Sequence, residues 1–282
     1  MSTNFGNLSA EYSNYKSAKI AIVPVPYDGT STWIKGSNKG PGAIIEASAN
    51  LELYDIETDS EVYKKGIFTE EAIEESSSVE YVIKAVRKRT EKHMKQNKYV
   101  VVVGGEHSIS IGTIQAHANN NKNISVLQLD AHADLRQEYE GSRYNHACVM
   151  ARVKEICPVV QVGIRSMDSS EKKLIETNNV FFAGGIYNKD NWKNEVVSRL
   201  SEKVYITIDL DVFDPSIMPS TGTPEPGGLL WYDILELIKV VVESREVVGF
   251  DVVELCPNTN NKSPDFLAAK LIYKLLSYKF KG

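Results

Sequence analysis

The sequence predicts an α/β fold in which a mostly parallel sheet is covered by helices on both faces. Six short runs are apolar and rich in β-branched residues at consecutive positions, which is typical of strands buried on both faces. Amphipathic or capped segments separate these runs, and such alternation is how parallel strands are connected. No repeat, low-complexity tract or long linker interrupts the pattern, so we expect one domain over residues 1–282.

The strands are predicted from β-branched runs that Gly, Pro or polar residues bound. In chain order these runs cover residues 19–26, 99–105, 124–130, 158–165, 204–210 and 246–255. Segments 23–41 and 218–228 are punctuated by Gly and Pro, which indicates loops around the strand ends.

Four helices are predicted from apolar periodicity or from capping residues at their starts. They cover Ser78–Lys95, Ser169–Thr177, Trp231–Glu243 and Ser263–Lys279. Two acidic stretches, Glu70–Glu75 and Glu171–Glu176, are interpreted as surface charge on helices.

Composition limits the classes of function. An apolar share of 42% in 282 residues suffices for a sizeable core, and a net charge of −5 argues against nucleic-acid binding. The first residues lack the apolar core of a signal peptide, and no apolar run approaches the roughly 20 residues that span a bilayer. We therefore expect a cytoplasmic protein without membrane contact. Cys148, Cys157 and Cys256 have no paired spacing and are interpreted as small buried apolar residues.

Acidic and metal-ligating side chains follow four of the predicted strands. In chain order these ends carry Glu106 and His107; Asp130, His132 and Asp134; Asp209 and Asp211; and Glu254. Each motif alone is more typical of a turn, a helix cap or a satisfied core residue. In a parallel sheet, however, ligands bind beyond the carboxyl ends of the strands, so these four ends are predicted to converge on one crevice.

Four aspartates and two histidines in one crevice require cations, because buried carboxylates without a counter-charge repel one another and resist ionisation. Two divalent ions would balance the aspartates, and a water shared between ions about 3.5–4 Å apart becomes a hydroxide near neutral pH. The ligand set is rich in oxygen, contains imidazole and lacks thiolate. It therefore favours manganese over zinc, with magnesium, nickel or cobalt less favoured.

Several motifs closely resemble those of the ureohydrolase family of arginases and agmatinases. They are "GGEHS" (104–108), "DAHADL" (130–135), "IDLDVFDPS" (208–216) and "DVVELCP" (251–257), and the resemblance runs from "VPYDGTS" at Val25 to the last helix. It implies a three-layer α/β/α fold of the arginase/deacetylase type, two Mn²⁺ per subunit, and hydrolysis of a guanidinium to urea and an amine. It also implies a homo-trimer or homo-hexamer.

The resemblance implies a role for each motif residue. One manganese would be held by His107, Asp130, Asp134 and Asp209, and the other by Asp130, His132, Asp209 and Asp211. Glu254 offers a carboxylate that can grip the planar guanidinium through two N–H bonds. His146 resembles the proton-shuttling histidine, with a surface-loop histidine as the alternative, and Asp134 is a candidate proton relay. Asp168 resembles the residue that receives the substrate's amino group, and a helix N-cap fits it equally well.

The motifs "GIRS" (163–166) and "STGTPEPGGL" (220–229) favour the agmatinase branch, and hence hydrolysis of agmatine to putrescine and urea. The Arg-Pro-Gly element that agmatinases commonly carry after the first loop is replaced here by residues 32–36, Thr-Trp-Ile-Lys-Gly. This departure leaves aminopropylagmatine, guanidinobutyrate and arginine open as substrates.

Other classes of protein remain as alternatives. A two-metal phosphoesterase is disfavoured, because no phosphate-gripping loop or arginine cluster accompanies the ligands. Deacetylase-like amidohydrolases use fewer metal ligands. A non-catalytic ureohydrolase-like binding protein would be expected to have lost ligands, whereas all six are present here.

Overall fold

A computed structural model describes residues 4–187 and 189–281. Within these residues, eight strands form one sheet in which every pair of neighbours is parallel. The strands are β1 (Ile20–Val25), β2 (Ile67–Thr69), β3 (Tyr99–Gly104), β4 (Ile124–Leu129), β5 (Val159–Ile164), β6 (Val180–Phe182), β7 (Lys203–Asp209) and β8 (Glu246–Val253). The six runs predicted as strands all form strands. The two strands that were missed, β2 and β6, are three residues long, which is too short for a periodic signal.

The α-helices connect these strands. They are α1 (Ala10–Ser13), α2 (Gly40–Ser48), α3 (Val79–Met94), α4 (Ser110–Asn120), α5 (Val149–Val153), α6 (Ala183–Ile186), α7 (Trp192–Arg199), α8 (Trp231–Ser244) and α9 (Ser263–Lys279). Short 3-10 helices cover Phe5–Asn7, Ser37–Lys39, Val62–Lys65, His107–Ile109, His146–Cys148, Ser169–Lys173 and Leu210–Val212. Three of the four predicted helices agree with α3, α8 and α9 to within about a residue at each end.

The two faces of the sheet bury different cores. Val101 and Val103 of β3 pack in a core with α2, α7, α8 and α9, while Val100 and Val102 pack in the other core with α3, α4 and α5. Alternate residues of a strand point to opposite faces, which explains why apolar residues occupy consecutive positions. The predicted α/β/α fold with a parallel central sheet is confirmed.

The order of strands across the sheet is β2-β1-β3-β8-β7-β4-β5-β6. The strands that precede the acidic and histidine motifs are β3, β8, β7 and β4, and they are four consecutive neighbours in the middle of the sheet. Chain order and spatial order diverge here, because β7 and β8 insert between β3 and β4. Ligand crevices in open α/β sheets form where the order of strands changes in this way.

Three expectations about local structure were wrong in whole or in part. Residues 169–177 form a 3-10 helix over Ser169–Lys173 that does not continue to Thr177. The acidic stretches are not helix surface charge: Glu70 follows β2 and has a side chain only 8% exposed, and Glu171 is buried. Cys148 and Cys157 are buried, whereas Cys256 is only partly so. These positions depend on long-range partners that local patterns do not reveal.

Across the part of the chain that the structure describes, no helix has the length and apolar content needed to cross a membrane.

Candidate metal centre and active site

His107 opens the 3-10 helix that follows β3. The turn before it requires Gly105, because a Cβ there would lie 2.0 Å from the carbonyl oxygen of Tyr27. The His107 side chain is buried, and its Nδ1 lies 3.1 Å from Asp134 Oδ2, 3.2 Å from Asp130 Oδ2 and 3.5 Å from Asp209 Oδ2. Among the described residues this Nδ1 has no hydrogen-bond partner of acceptable geometry. A buried nitrogen facing three carboxylates is the arrangement of a metal ligand.

The opposite nitrogen of the same ring has a well-defined partner. His107 Nε2 lies 2.9 Å from Thr207 Oγ1, and the Thr207 hydroxyl donates to Asp251 Oδ1 at 2.6 Å. Because a hydroxyl has one hydrogen, Nε2 must be the donor to Thr207, and Nδ1 of the neutral ring is left with its lone pair. Tyr205 donates to the other oxygen of Asp251 at 2.8 Å. These buried hydrogen bonds orient the His107 ring so that the lone pair of Nδ1 points toward the carboxylates.

The segment after β4 places Asp130, His132 and Asp134. Asp130 Oδ1 accepts the backbone N–H of His132 at 2.6 Å, and Oδ2 accepts Gln128 Nε2 at 2.7 Å. Asp134 has a positive φ of 54°, a left-handed conformation that Asp adopts more readily than most residues. This turn brings the Asp134 side chain back beside His107.

The end of β7 supplies Asp209 and Asp211. Asp209 Oδ1 accepts the backbone N–H of Asp211 at 2.9 Å, and Asp211 Oδ1 accepts that of Ala131 at 3.0 Å. Asp211 Oδ2 lies 2.8 Å from His132 Nδ1. The ends of β4 and β7 are thereby tied together around the two histidines.

All six predicted metal ligands are therefore brought to one place. Two groups, His107 with Asp130 and Asp134, and Asp130 with His132 and Asp211, have ligand atoms within 4.8 Å of one another. Asp130 belongs to both groups. The donor set, imidazole nitrogen and carboxylate oxygen, fits two divalent ions that share ligands.

The charges in this cluster are not balanced by the protein. Burial, reinforced by Asp211 and Asp130, raises the pKa of Asp209 well above its usual value, and burial with the charge of Asp130 raises that of Asp134 to about 7. Burial lowers the pKa of His132, but Asp211 and Asp130 outweigh it and raise the pKa to about 12. Aspartates that resist ionisation beside a histidine that holds its proton are expected where cations belong.

Glu254 follows β8 with a positive φ of 67°. Its Oε1 accepts the backbone N–H of His107 at 2.6 Å, while its own N–H donates to the carbonyl of Gly105 at 2.7 Å. Burial, with the charge of Glu106 as the next cause, raises the pKa of Glu254 well above the usual value. The carboxylate is held by backbone at the edge of the metal cluster, and a cation beside it would favour its ionised form.

His146 opens the 3-10 helix His146–Cys148 at the same edge of the sheet. Its Nδ1 is 3.1 Å from Thr30 Oγ1, which also accepts the backbone N–H of His146 at 3.0 Å. Burial lowers the pKa of His146 to about 4, so its ring is neutral near pH 7. The His146 side chain is partly buried and is held at the cavity by Thr30.

A cavity of about 210 Å³ joins these side chains. His107, His132, Asp134, His146, Asp209, Asp211 and Glu254 line its floor, and Trp33, Ile34, Arg136, Tyr139, Met167 and Asp168 are among the residues around it. The segment that replaces the Arg-Pro-Gly element thus contributes directly to the cavity wall.

Asp168 both caps a helix and lines the cavity. Its Oδ1 accepts the backbone N–H of Ser170 at 2.9 Å, and Arg136 Nη2 lies 3.7 Å from Oδ2. The buried Glu171 accepts the backbone N–H groups of Asp168 at 2.6 Å and of Leu135 at 2.7 Å. Glu171 therefore ties Asp168 to the segment that carries Asp134.

Comparison with protein families gives one match that covers most of the chain. The model described as "Arginase family" matches residues 18–277. The chain belongs to the arginase family. The predicted family membership is confirmed, and the fold agrees with that of solved family structures.

Several curated and solved relatives of this arginase-family chain carry related ureohydrolase names. The chain is 38% identical over 281 residues to the N(1)-aminopropylagmatine ureohydrolase of Synechocystis sp., covering 96% of this chain and 92% of that protein. It is 33% identical to the agmatinase of Pyrococcus horikoshii, covering 93% and 92%. The crystal structure of agmatine ureohydrolase of Thermoplasma volcanium superposes with a TM-score of 0.88 at 34% identity, covering 97% and 94%.

Sequence reasoning missed several residues that position the site of this arginase-family chain. Arg165, in the quoted "GIRS" motif, donates to the carbonyl oxygens of Asp211 at 2.5 Å and Glu225 at 2.8 Å, and so joins two loops beside the cavity. Glu106 was placed at a strand end but was given no role of its own, and Glu171 was interpreted as surface charge. For Glu106, the one available signal was its place in the quoted "GGEHS" motif.

Proposed function

We propose that this arginase-family ureohydrolase hydrolyses a guanidino compound with a cationic tail, agmatine in the first instance, to urea and putrescine. The observation that supports this best is the buried Nδ1 of His107 facing three carboxylates, with no lysine or arginine of the described chain paired to them. We also propose that residues 1–282 act as a single catalytic domain.

In this proposal the six ligands keep the sharing pattern that the resemblance implies. His107, Asp130, Asp134 and Asp209 would hold one ion, and Asp130, His132, Asp209 and Asp211 the other. Two divalent ions, manganese by the ligand chemistry, would supply charge neutralisation and an activated water. The chain's own contribution is to fix six ligands at the ends of β3, β7 and β4, three of the four central strands, which a rigid sheet does more accurately than free loops.

Glu254 is proposed to orient the substrate. Its Oε1 already accepts the N–H of His107, which leaves Oε2 and a second lone pair on Oε1 for two guanidinium N–H groups. The charge also compensates the repulsion between a cationic substrate and metal ions. A guanidinium held in one plane presents its carbon in a defined direction, which lowers the entropic part of the barrier.

His146 and Asp134 are proposed to handle protons. A histidine with a pKa of about 4 is neutral near pH 7 and is able to accept a proton and pass it to the leaving amine or to solvent. Asp134 is proposed to relay a proton within the site, and its position beside His107 at the cavity supports this role.

The tail of the substrate is proposed to meet Asp168 at the cavity wall, where a carboxylate suits an ammonium group. A second candidate substrate is aminopropylagmatine, which the name of the Synechocystis relative favours. The side chain of Trp33 also favours it, because this residue is 69% exposed while lining the cavity and offers an aromatic face to a longer cationic chain. Guanidinobutyrate ends in a carboxylate alone, which Asp168 would repel, whereas arginine carries a carboxylate beside its amino group, so that only part of its tail suits Asp168.

Asp130→Asn tests the metal role of the site. We expect the variant to lose bound metal and to release urea at a rate lowered by at least about 100-fold, because an amide cannot supply the charge of a shared ligand. Metal content by mass spectrometry and urea release measure the two effects. Full metal content with full turnover would contradict the shared-ligand role.

A turnover panel tests the choice of substrate. Agmatine, aminopropylagmatine, guanidinobutyrate and arginine are compared by urea release with Mn²⁺ present. We expect the two compounds with cationic tails to be preferred, and Asp168→Asn to lower kcat/KM for these two selectively. A preference for arginine would contradict the agmatinase-type assignment.

The homo-trimer or homo-hexamer and the cytoplasmic location remain predictions. Large apolar side chains exposed on the described surface support an assembly: Tyr54, Ile56, Tyr232 and Phe266 are each more than 40% exposed around a second cavity. Light scattering of the purified protein measures the number of subunits.

A further inference from the structure

A fully buried carboxylate, Glu106, lies directly behind the candidate active site. It accepts four hydrogen bonds: Thr30 N–H at 2.5 Å and Ser31 N–H at 3.2 Å on Oε2, and the hydroxyls of Thr30 at 2.7 Å and Ser108 at 2.5 Å on Oε1. The two backbone N–H groups bind Oε2 and the two hydroxyls bind Oε1, so every hydrogen bond to this carboxylate is donated to it. Glu106 therefore fixes the direction of the single hydrogen on the Thr30 hydroxyl.

The direction of the Thr30 hydroxyl hydrogen determines which ring nitrogen of His146 carries a hydrogen. Thr30 Oγ1 lies 3.1 Å from His146 Nδ1 while its hydrogen is directed to Glu106. A lone pair on Nδ1 would then face a lone pair on Oγ1, so Nδ1 must carry the hydrogen and donate to Thr30. We propose that Thr30 and Glu106 act as positioning residues that hold His146 as the Nδ1–H tautomer and keep its Nε2 free to accept a proton.

This inference rests on the proposed function, in which His146 transfers a proton. A neutral imidazole has one acceptor nitrogen, and only the correct tautomer presents it to the reacting groups. An acid that fixes the tautomer of a catalytic histidine has the same effect in hydrolases with a Ser-His-Asp triad. Here a threonine hydroxyl connects the acid to the histidine.

Thr30→Val removes the hydroxyl while preserving the shape of the side chain and both backbone bonds to Glu106. We expect kcat to fall roughly 10- to 100-fold with little change in KM, which is part of the about 10²- to 10⁴-fold contribution of a positioned acid–base group. Thr30→Ser retains the hydroxyl and is expected to recover most of the loss. Equal loss in the Val and Ser variants, or a change confined to KM, would overturn the proposal.

A second measurement does not depend on activity. Neutron diffraction from deuterium-exchanged crystals locates the hydrogen on His146, and we expect it on Nδ1 in the unmodified protein and in Ser108→Ala, which removes a different donor to Glu106. In Glu106→Gln the amide is able to donate to Thr30, so the hydroxyl is free to turn toward Nδ1 and the hydrogen is expected on Nε2. A hydrogen on Nε2 of the unmodified protein, or on Nδ1 in Glu106→Gln, would overturn the proposal.

His146→Asn separates this inference from the proposed function. If this variant retains full turnover, His146 does not transfer a proton in the reaction, and the positioning role of Thr30 and Glu106 is then wrong as well. If His146→Asn is inactive while Thr30→Val keeps full turnover, only the positioning role is wrong. Metal content is measured in every variant, because Glu106 precedes the ligand His107 in the chain.

Discussion

Two acidic clusters in this protein differ in how their charge is balanced. In the first, the candidate metal centre, Asp130, Asp134, Asp209 and Asp211 surround two histidines. In the second, which we call the Lys274 network, Asp55 and Glu57 receive Lys274, and Lys239 and Tyr278 also bind Glu57. Lys274 Nζ lies 3.0 Å from Asp55 Oδ2 and 2.8 Å from Glu57 Oε2.

The pKa values move in opposite directions in the two clusters. Burial raises the pKa of Asp55, but hydrogen bonds from Thr58 and Lys274 outweigh it, and the net pKa is lowered. At Glu57 burial is likewise outweighed by Lys274, Tyr278 and Lys239, which lower the pKa to about 2. At Asp209, burial and two neighbouring aspartates act together and raise it. The carboxylates of the Lys274 network are paired with lysines of the chain and stabilise the fold. The carboxylates of the candidate metal centre have no such partner among the described residues, so they are available to bind metal ions.

The strongest test of this comparison is Asp209→Asn. We expect urea release to fall by at least about 1,000-fold, more than the about 10- to 100-fold typical of residues behind metal ligands. The metal-free variant should nevertheless resist denaturant better at pH 7 than the metal-free parent. The pKa of Asp209 is higher in the folded protein than in the unfolded chain. Above the unfolded pKa, ionisation of Asp209 therefore favours the unfolded state, and Asp209→Asn removes this cost.

Asp55→Asn is the matched control for Asp209→Asn. It removes a carboxylate from the Lys274 network, so we expect lower stability with unchanged metal content. If the two Asp→Asn changes shifted the denaturation midpoint of the metal-free protein in the same direction, the distinction between the clusters would be wrong.

Lys274→Met removes the central cation of the Lys274 network. The Lys274 side chain is 7% exposed and that of Asp55 is 3% exposed, so the variant leaves a buried carboxylate without a counter-charge. We expect a loss of about 3–5 kcal/mol in the free energy of unfolding. Urea denaturation measures this loss, and kcat below the unfolding temperature should stay unchanged. A variant as stable as the parent would show that the ion pair contributes nothing.

We expect Mn²⁺ to bind at the candidate metal centre and not at the Lys274 network, and thereby to stabilise the folded protein. Binding to the folded state at 100 times the dissociation constant contributes about 2.7 kcal/mol for one site. Thermal unfolding of the chelator-treated protein, with and without Mn²⁺, measures the shift. Lys274→Met should show the same metal-induced shift as the parent and Asp209→Asn a much smaller one; equal shifts in all three would place the metal elsewhere.

The smallest expected effect concerns Glu70, which is paired with cationic side chains of the protein, as the acids of the Lys274 network are. Burial raises its pKa, but His93, Lys92 and Arg89 outweigh this and lower it from 4.5 to about 2. Its contribution to stability is therefore complete above about pH 4.5 and is lost as the pH falls toward 2. We expect Glu70→Gln to cost about 1 kcal/mol at pH 7. Denaturation at several pH values should show this difference shrinking below pH 4.5, and a difference independent of pH would exclude the ion pairs as its source.

Local patterns predicted the long elements well and the short ones poorly. Helix α9 spans the predicted 263–279, because apolar, helix-forming residues continue along its whole length. Strands β2 and β6 are too short to show a pattern, and their positions depend on pairing with β1 and β5. Glu171 resembled surface charge because its partners, the N–H groups of Leu135 and Asp168, lie on another segment and at its own helix cap.

The sequence by itself determined which groups are available and that they meet at one edge. Ligand chemistry depends on side-chain identity, and the carboxyl ends of parallel strands always share an edge of the sheet. Only the tertiary structure decided that β3, β8, β7 and β4 are neighbours, and that Thr30 meets His146 from 116 positions away. The physical reason is range: a hydrogen bond acts over about 3 Å in space, and packing of the whole chain determines which distant residues come that close.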